Sequence, residues 1–467
     1  MHSARQIFKM TKITNKSQLI KRGSTELTRK ARSLALESLE HALKAADPKR
    51  MLKARLFLKN STLYINDYTF NLQNFRNIYV IGGGKATGAM AEVIEEKLGN
   101  YITKGTVNIP HGYKQKTHTI IIHGANHPIP NNAGTTGTRQ MLTIAEQAEK
   151  DDLIICLLSG GGSSLMPLPR NGIPLRDKQE LTSALLKSGA TINEVNTVRK
   201  HISDFKGGWL AKKAYPATIL NIILSDVVCD KLDSIASGPT VPDPTTFVDA
   251  RKVLEKYGLW ANAPSPVRQV LVQGEKGLIA ETPKADDMAF EKVYNVIVGN
   301  NRSASIAACR YLKSESVGTL LLPTTLEGEA REMGTMLASR AHEILVSGNL
   351  MLKPTGVIAG GETTVTVTGE GVGGRNQELA LAAVRKLSGF DGVALASLST
   401  DGVDGPTDAA GAIVDGDTLT QATKLGLDPE EYLRENDSYR FFSKLGDLIV
   451  TGPTGTNVND ISVVIIL

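Results

Sequence analysis

Short, near-continuous apolar runs alternate with stretches of helical periodicity along most of the chain. The runs Asn77–Ile81, Thr119–Ile122, Leu153–Leu158 and Ala217–Leu224 are followed by glycine or hydroxyl residues and then by helical spacing. The same succession returns in Tyr294–Val298, Gly318–Leu322, Gly356–Ala359, Gly392–Leu398 and Leu448–Val450, with an alternating strand predicted over Thr363–Thr368. Strands that are apolar throughout are buried on both faces, which predicts an α/β fold built on parallel sheet covered by helices. Helices are predicted over 24–58 behind a Ser24 cap, over 86–98 closed by Gly99, and over 377–387.

Between 240 and 290 the pattern weakens. Pro239, Pro242, Pro244, Pro264 and Pro266 punctuate this stretch, and charges crowd 281–292, as at a domain boundary. A chain of 467 residues accommodates two or three domains. The expected division is a frayed terminus over 1–22, a first domain over 23–285 and a second over 286–467. The terminus is basic, with no acidic residue before Glu26, but it lacks the arginine-rich amphipathic pattern of a transit peptide.

Composition narrows the class of protein. Hydrophobic residues make up 41% and charged residues 22%, as in ordinary globular domains, which excludes disorder and coiled coil. The net charge is +5, with 53 basic against 48 acidic residues, and no tract gathers basic and aromatic residues together. Nucleic-acid binding is therefore not expected. No apolar run approaches a membrane span of roughly 20 residues, and three scattered cysteines form neither a disulfide framework nor a zinc site. A cytoplasmic protein is expected, with Cys156 a small buried hydrophobe.

Glycine is in modest surplus, 44 of 467, and it clusters where strands end. Gly82-Gly83-Gly84-Lys85-Ala86-Thr87-Gly88 reads either as a plain strand–helix turn or as an anion cradle. Lys85 favours the cradle, because a lysine over a glycine loop is a point charge for phosphate or carboxylate. Ser159-Gly160-Gly161-Gly162-Ser163-Ser164 is a nest of backbone donors and hydroxyls, again suited to an anion. Its serines flank the glycines, unlike a nucleophile elbow. The Walker and protein-kinase patterns are absent from the chain.

Asp226, and Asp401 with Asp404, follow apolar strands and suit Mg²⁺, which takes one or two carboxylates alongside phosphate oxygens. A helix cap or Asx-turn is the alternative for each. The eight histidines have no zinc-like spacing, and His127 reads as a turn or pocket-lining residue. Arg375 follows Gly369–Gly374 at a helix start, where a guanidinium can clamp a phosphoryl group. Arg199, within Arg199-Lys200-His201, and Lys206 add positive charge, while Glu362 and Asn457 occupy two further glycine loops.

Taken together, these segments resemble the glycerate 2-kinases of the MOFRL family, once often labelled hydroxypyruvate reductases. The resemblance runs from about residue 25 to the end. It rests on Gly82–Ala86, Asn126–Pro130, Leu158–Ser163, Ile192–His201, Ile235–Thr240, Gly328–Arg331, Gly360–Thr364, Gly373–Glu378, Thr400–Ala410 and Thr451–Asn457. It implies a Rossmann-like parallel sheet in the N-terminal domain and a smaller mixed α/β C-terminal domain, with the active site in the cleft between them. It also implies ATP-dependent phosphorylation of D-glycerate at the C2 hydroxyl, giving 2-phosphoglycerate, with Mg²⁺ or another divalent cation. The family's active-site lysine and arginine fall on Lys85 and Arg375. Two departures are Val228-Cys229-Asp230, where Pro-Gly-Asp is usual, and Trp209, where arginine is common.

The expected site therefore comprises Lys85, Arg375 and Asp226 as catalytic groups. Gly83, Gly84, Ser159, Gly160, Gly161, Gly162, Ser163, Arg199, Glu362 and Asn457 would contact substrate or phosphate, and Asp226 and Asp401 a metal. The expected partners are ATP and D-glycerate, with no nucleic acid and no membrane, for a monomer or homodimer. An NAD(P)H-dependent hydroxypyruvate reductase is the rival. The chain lacks an acidic residue at the place where a ribose would be held and lacks a His–acid pair for hydride chemistry.

Overall fold

In the computed structural model, residues 12–113, 115–322, 325–347 and 353–467 are described. The chain forms two units, a central one of Pro48–Gly299 and a second made of Met1–Asp47 with Asn300–Leu467.

The central unit carries a six-stranded parallel sheet of β1 (Asn77–Gly83), β2 (Lys104–Pro110), β3 (Ile120–Ala125), β4 (Asp152–Leu158), β5 (Thr218–Leu224) and β6 (Val293–Gly299). The strand order is β3-β2-β1-β4-β5-β6, the doubly wound Rossmann order, and β1 and β4 flank the switch point. The inner strands are apolar because helices cover both faces. Every residue of β4 is buried, and Ile81, Ile154, Cys156, Leu158 and Phe205 share one core. Burial pushes the Cys156 thiol far up, so it is the inert hydrophobe expected. A small antiparallel meander, Leu56–Lys59, Thr62–Ile65 and Tyr68–Asn71, precedes β1.

The second unit has a mixed sheet of β7 (Gly318–Leu321), β8 (Thr355–Gly361), β9 (Val393–Ser399), β10 (Gly411–Asp415), β11 (Leu448–Ile449) and β12 (Asp460–Ile466). Its order is β7-β8-β12-β9-β10-β11. Only β7 and β8 run parallel; β12 inserts antiparallel between β8 and β9. The sequence does not predict β2, β10 or β12 as separate strands. Thr363–Thr368, predicted as a strand, stays outside the sheet and makes only an isolated bridge between Thr364 and Glu329.

The first long helix corrects the expected organisation. It spans Glu26–Ala45 and is capped by Thr25, not Ser24, whose hydroxyl instead bonds the Asp417 carboxylate. Its stripe Ala31, Leu34, Ala35, Leu39 and Ala42 is buried, and the helix packs on β9 and β12 and on the helix Asn301–Ser314, inside the second unit. The division thus falls after Asp47 and after Gly299, not at 285. β6 supplies the reason: Ile219–Leu224 pairs with it in parallel, so the chain stays in the central sheet until Gly299.

Residues 12–22, expected to fray, are folded in the second unit. Ile13 is fully buried and its N–H donates to Glu40 at 3.1 Å, while Asn15 donates to the Leu448 carbonyl at 2.7 Å. Residues 1–11 lie outside the described residues. Among the described residues no helix is long and apolar enough to cross a membrane.

Candidate active site

In the central unit the carboxyl ends of β1, β4 and β5 are in register, so three loops open on one sheet edge. The first, Gly83–Ala86, leads into the helix Thr87–Leu98. A Cβ at Gly82 would collide with the Leu157 backbone, and one at Gly84 with Ser159, so glycine here permits close approach of the two loops. The second, Ser159–Ser164, begins with a buried serine. Its hydroxyl accepts from the Ala86 N–H at 3.0 Å and lies 3.1 Å from the Thr87 hydroxyl. Ser159, a predicted ligand contact, also ties the two loops together.

The Lys85 N–H donates to the Gly160 carbonyl at 2.8 Å, a second tie. The N–H groups of Gly160 and Gly161 donate to no acceptor among the described residues. Gly161 has φ +80°, and a Cβ there would come within 2.9 Å of the His127 ring and 3.4 Å of the Lys85 side chain. Lys85 and His127 therefore flank the loop, with Gly83, Gly84, Gly160 and Gly162 forming its floor. Ser163 presents its hydroxyl 2.6 Å from that of Ser237, which in turn donates to Asn196 at 3.1 Å.

The third loop, beyond β5, carries a half-buried Asp226 just after Ser225. Strain concentrates here. Cys229, Asp230, Ala236 and Ser237 all have positive φ between 51° and 60°, a conformation that L side chains adopt at a cost of about 1–3 kcal/mol each. Ser237 is thus held in a strained conformation while it faces Ser163.

Of Arg199-Lys200-His201, only Arg199 lines a cavity beside Ser163 and Ser164. Lys200 pairs with Asp233 at 3.3 Å and Asp243 at 3.4 Å, and His201 is buried against Glu281 at 2.9 Å. Lys178 and Lys206 line the same cavity. Lys178 carries no local signal, since it sits among Arg176, Asp177 and Glu180 on a helix that reads as a solvated face.

In the second unit Arg375 opens the helix Arg375–Leu387, two residues before the predicted start. Its Nε and Nη2 donate to the two carboxylate oxygens of Asp460 at 2.6 and 3.0 Å, and Nη1 donates to Glu362 at 2.7 Å. Glu362, expected as a ligand contact, is thus a partner of the arginine. Asp460 is the residue sequence reading missed. It starts the antiparallel β12, paired with Gly361 and Ser399, so it lies at the carboxyl ends of β8 and β9. Burial pushes its carboxyl up to about 7, against the pull of Arg375, with Asp404 adding to the rise.

Asp404 realises the capping alternative. It is buried and accepts from the N–H groups of Asn376 and Gln377 at 3.1 and 2.9 Å, and Gly374 leaves room for it. Asp401 accepts from the Ser399 hydroxyl at 2.9 Å and the Val403 N–H at 3.1 Å, an Asx-type turn at the end of β9. Asn457 accepts from the Asn459 N–H at 3.1 Å within its own loop. Among the described residues no group of three or more His, Cys, Asp or Glu could hold a metal ion by itself. The carboxylate oxygens of Asp226 and Asp401 are hard donors of the kind Mg²⁺ takes singly or in pairs beside phosphate.

Residues 34–272 match the model of a domain of unknown function, DUF4147, and residues 355–460 match that of the MOFRL family. A protein named glycerate 2-kinase from Pyrococcus horikoshii is 42% identical over 93% of this chain and 97% of its own length. One from Agrobacterium vitis, named putative hydroxypyruvate reductase, is 41% identical over 83% of this chain and 86% of its own. A solved structure of a glycerate kinase from Thermotoga maritima superposes with a TM-score of 0.81 at 42% identity, covering 93% of this chain and 99% of that one.

Proposed function

The chain belongs to the MOFRL family of glycerate 2-kinases, and on that premise we propose that it phosphorylates D-glycerate at the C2 hydroxyl with ATP, yielding 2-phosphoglycerate and ADP. The open N–H pair of Gly160 and Gly161, with Lys85 and His127 alongside, carries this assignment. Such a nest offers fixed donors to a transferring phosphoryl group or a carboxylate and needs no reorganisation as charge shifts.

In the proposed reaction the C2 hydroxyl attacks the γ-phosphorus in line and ADP leaves, with the hydroxyl proton lost to solvent or to a strand-end carboxylate such as Asp226. Lys85 stabilises charge on the transferring group. Arg375, held in orientation by Asp460 and Glu362, has its guanidinium fixed before substrate arrives and meets phosphoryl or carboxylate oxygens. Asp226 and Asp401, each at a strand end of its own unit, are the carboxylates proposed for Mg²⁺, which when bound would supply neutralising charge to the nucleotide phosphates. Positioning and electrostatics suffice for such a transfer, so the proposed reaction does not require His127 to act as a base.

One assay separates this reaction from its rivals. ATP and D-glycerate are incubated with the enzyme, and product is read through enolase with and without phosphoglycerate mutase. Signal without mutase identifies the 2-phosphate, and signal only with mutase the 3-phosphate. NADH oxidation by hydroxypyruvate, with no ADP formed from glycerate, would replace the kinase by a reductase.

A further inference from the structure

A cavity of about 390 Å³ in the central unit adjoins Ser163 and Ser164 and is not accounted for by the nest itself. Its base holds three cationic side chains, Lys178, Arg199 and Lys206, and part of its wall is apolar, including Pro128 and Leu186. Lys178 is 4% exposed and Lys206 1%. Burying one ammonium group is costly, and gathering three cations multiplies the cost unless an anion completes the site.

Among the described residues no carboxylate comes within ion-pairing distance of Lys178, Arg199 or Lys206. The Lys178 ammonium nitrogen is buried without a hydrogen-bond partner, and that of Lys206 reaches only the Ala236 carbonyl at 3.4 Å. Asp204 is the carboxylate whose field reaches Lys178, but it is drawn to Arg170 at 3.7 Å. Lys200, next to Arg199 on the same helix, shows the contrast: it is buried too, yet paired with two aspartates.

The electrostatic state agrees with an incomplete site. Burial first, then repulsion from Arg199, pushes Lys178 down to about 7, and burial with the two neighbouring cations pushes Lys206 well below its ordinary value. A dianion in the cavity would oppose both shifts. A monocarboxylate would leave most of the charge unbalanced, whereas a phosphate monoester matches it. The cavity lies at the small end of ligand sites, which suits a compact acid and not a dinucleotide.

We infer that this cavity is a subsite for the phosphate monoester of a small acid, with Lys178, Arg199 and Lys206 taking the phosphate, the Ser163 and Ser164 side donating hydroxyls, and the apolar wall taking the carbon chain. This inference deepens the kinase assignment and rests on it for the identity of the acid, phosphoglycerate. The phosphate chemistry stands on the cavity alone.

The test is calorimetric titration of the full-length protein with inorganic phosphate, 2-phosphoglycerate and D-glycerate, each against wild type and Lys178→Met. Methionine keeps the volume and removes the charge. Wild type is expected to bind both phosphates, and the variant to bind them about tenfold or more weakly, as for loss of one charged hydrogen bond. Its unliganded melting temperature is expected to equal or exceed that of wild type, whereas a structural lysine would lower it. An equal loss for both phosphates assigns a site for the phosphate group itself; a larger loss for 2-phosphoglycerate assigns it to the product. Unchanged phosphate affinity in Lys178→Met, or in Lys206→Met should the first variant not fold, overturns the subsite. So does a loss confined to D-glycerate. Glycerate turnover by wild type is measured in parallel, so a failed kinase assignment leaves the phosphate isotherm readable.

Discussion

Arg375 and Asp460, 85 residues apart in sequence, meet in a two-point ion pair with Nε–Oδ2 at 2.6 Å and Nη2–Oδ1 at 3.0 Å. The pair exists because β12 runs antiparallel between β8 and β9, which brings the start of one strand beside the ends of two others. A guanidinium so anchored has lost its rotamer freedom before any ligand binds, which is the condition for transferring fixed charge to a reacting group.

Asp460→Asn keeps the shape and removes the charge. Turnover is expected to fall about 10²-fold, the effect of a small misplacement of a catalytic group, while the protein still melts cooperatively. Turnover equal to wild type would detach Arg375 from the proposed chemistry.

The same carboxyl gives a pH signature. Its folded-state value, about 7, lies above the ordinary 3.8, so between these limits the unfolded chain is ionised while the folded protein keeps the proton. The contribution to stability is thus full below about pH 4 and is lost as the pH rises to about 7. Activity that depends on the ionised pair runs the other way and increases between about pH 6 and 8. Asp460→Asn is expected to flatten both, read by denaturant melts and by kcat against pH; an activity limb unchanged in the variant would assign it to another group.

Lys85→Ala is expected to reduce kcat by about 10² or more, because one fixed positive charge on a transferring phosphoryl group is lost. The side chain is half-buried at a loop tip, so the melting temperature is expected to change little. A variant with normal kcat would remove Lys85 from the site.

Ser159→Ala tests the loop tie. The buried Ala86 N–H loses its acceptor and Thr87 a partner, a cost of about 1–3 kcal/mol in denaturant unfolding of the central unit. Activity is expected to drop without vanishing, because Ser159 holds the nest through Ala86 and Thr87. Complete loss in a folded variant would indicate a direct chemical role.

A buried network in the second unit offers a stability test independent of function. Arg32, 1% exposed, donates to Asp447 at 2.8 Å and forms an ion pair with Asp415 at 2.9 Å. Arg32→Met would leave two buried carboxylates facing each other and is expected to cost about 3–5 kcal/mol. Adding Asp415→Asn and Asp447→Asn is expected to restore much of it, checked by the melting temperatures of the single and triple variants.

Lys85, Gly83, Gly84 and the Gly160–Ser163 loop were legible in the sequence because their signals are local. A buried parallel strand must end, and the residues just past that end are constrained within a few positions to glycine and hydroxyls. The α/β class and the apolar strands follow from the same short-range periodicity. Asp404, with its cap or metal alternatives, needed the structure to choose, since the acceptor of Asn376 and Gln377 is recognised only once the helix is in place.

Long-range pairing decided the rest. Asp460 opens an apolar run, and nothing near it in the chain says that the strand is antiparallel; β-sheet neighbours are chosen by packing across the whole unit. The helix Glu26–Ala45 has an amphipathic stripe that would suit either unit, and only the faces of β9 and β12 settle which one it covers. Lys178 looks like one more charge on a solvated helix until the fold buries it beside Arg199 and Lys206. The sequence by itself determined the elements and the loops between them, because backbone geometry and burial act over a few residues. Which charges meet was decided by tertiary structure alone, because electrostatic neighbours are set by distance in space and not along the chain.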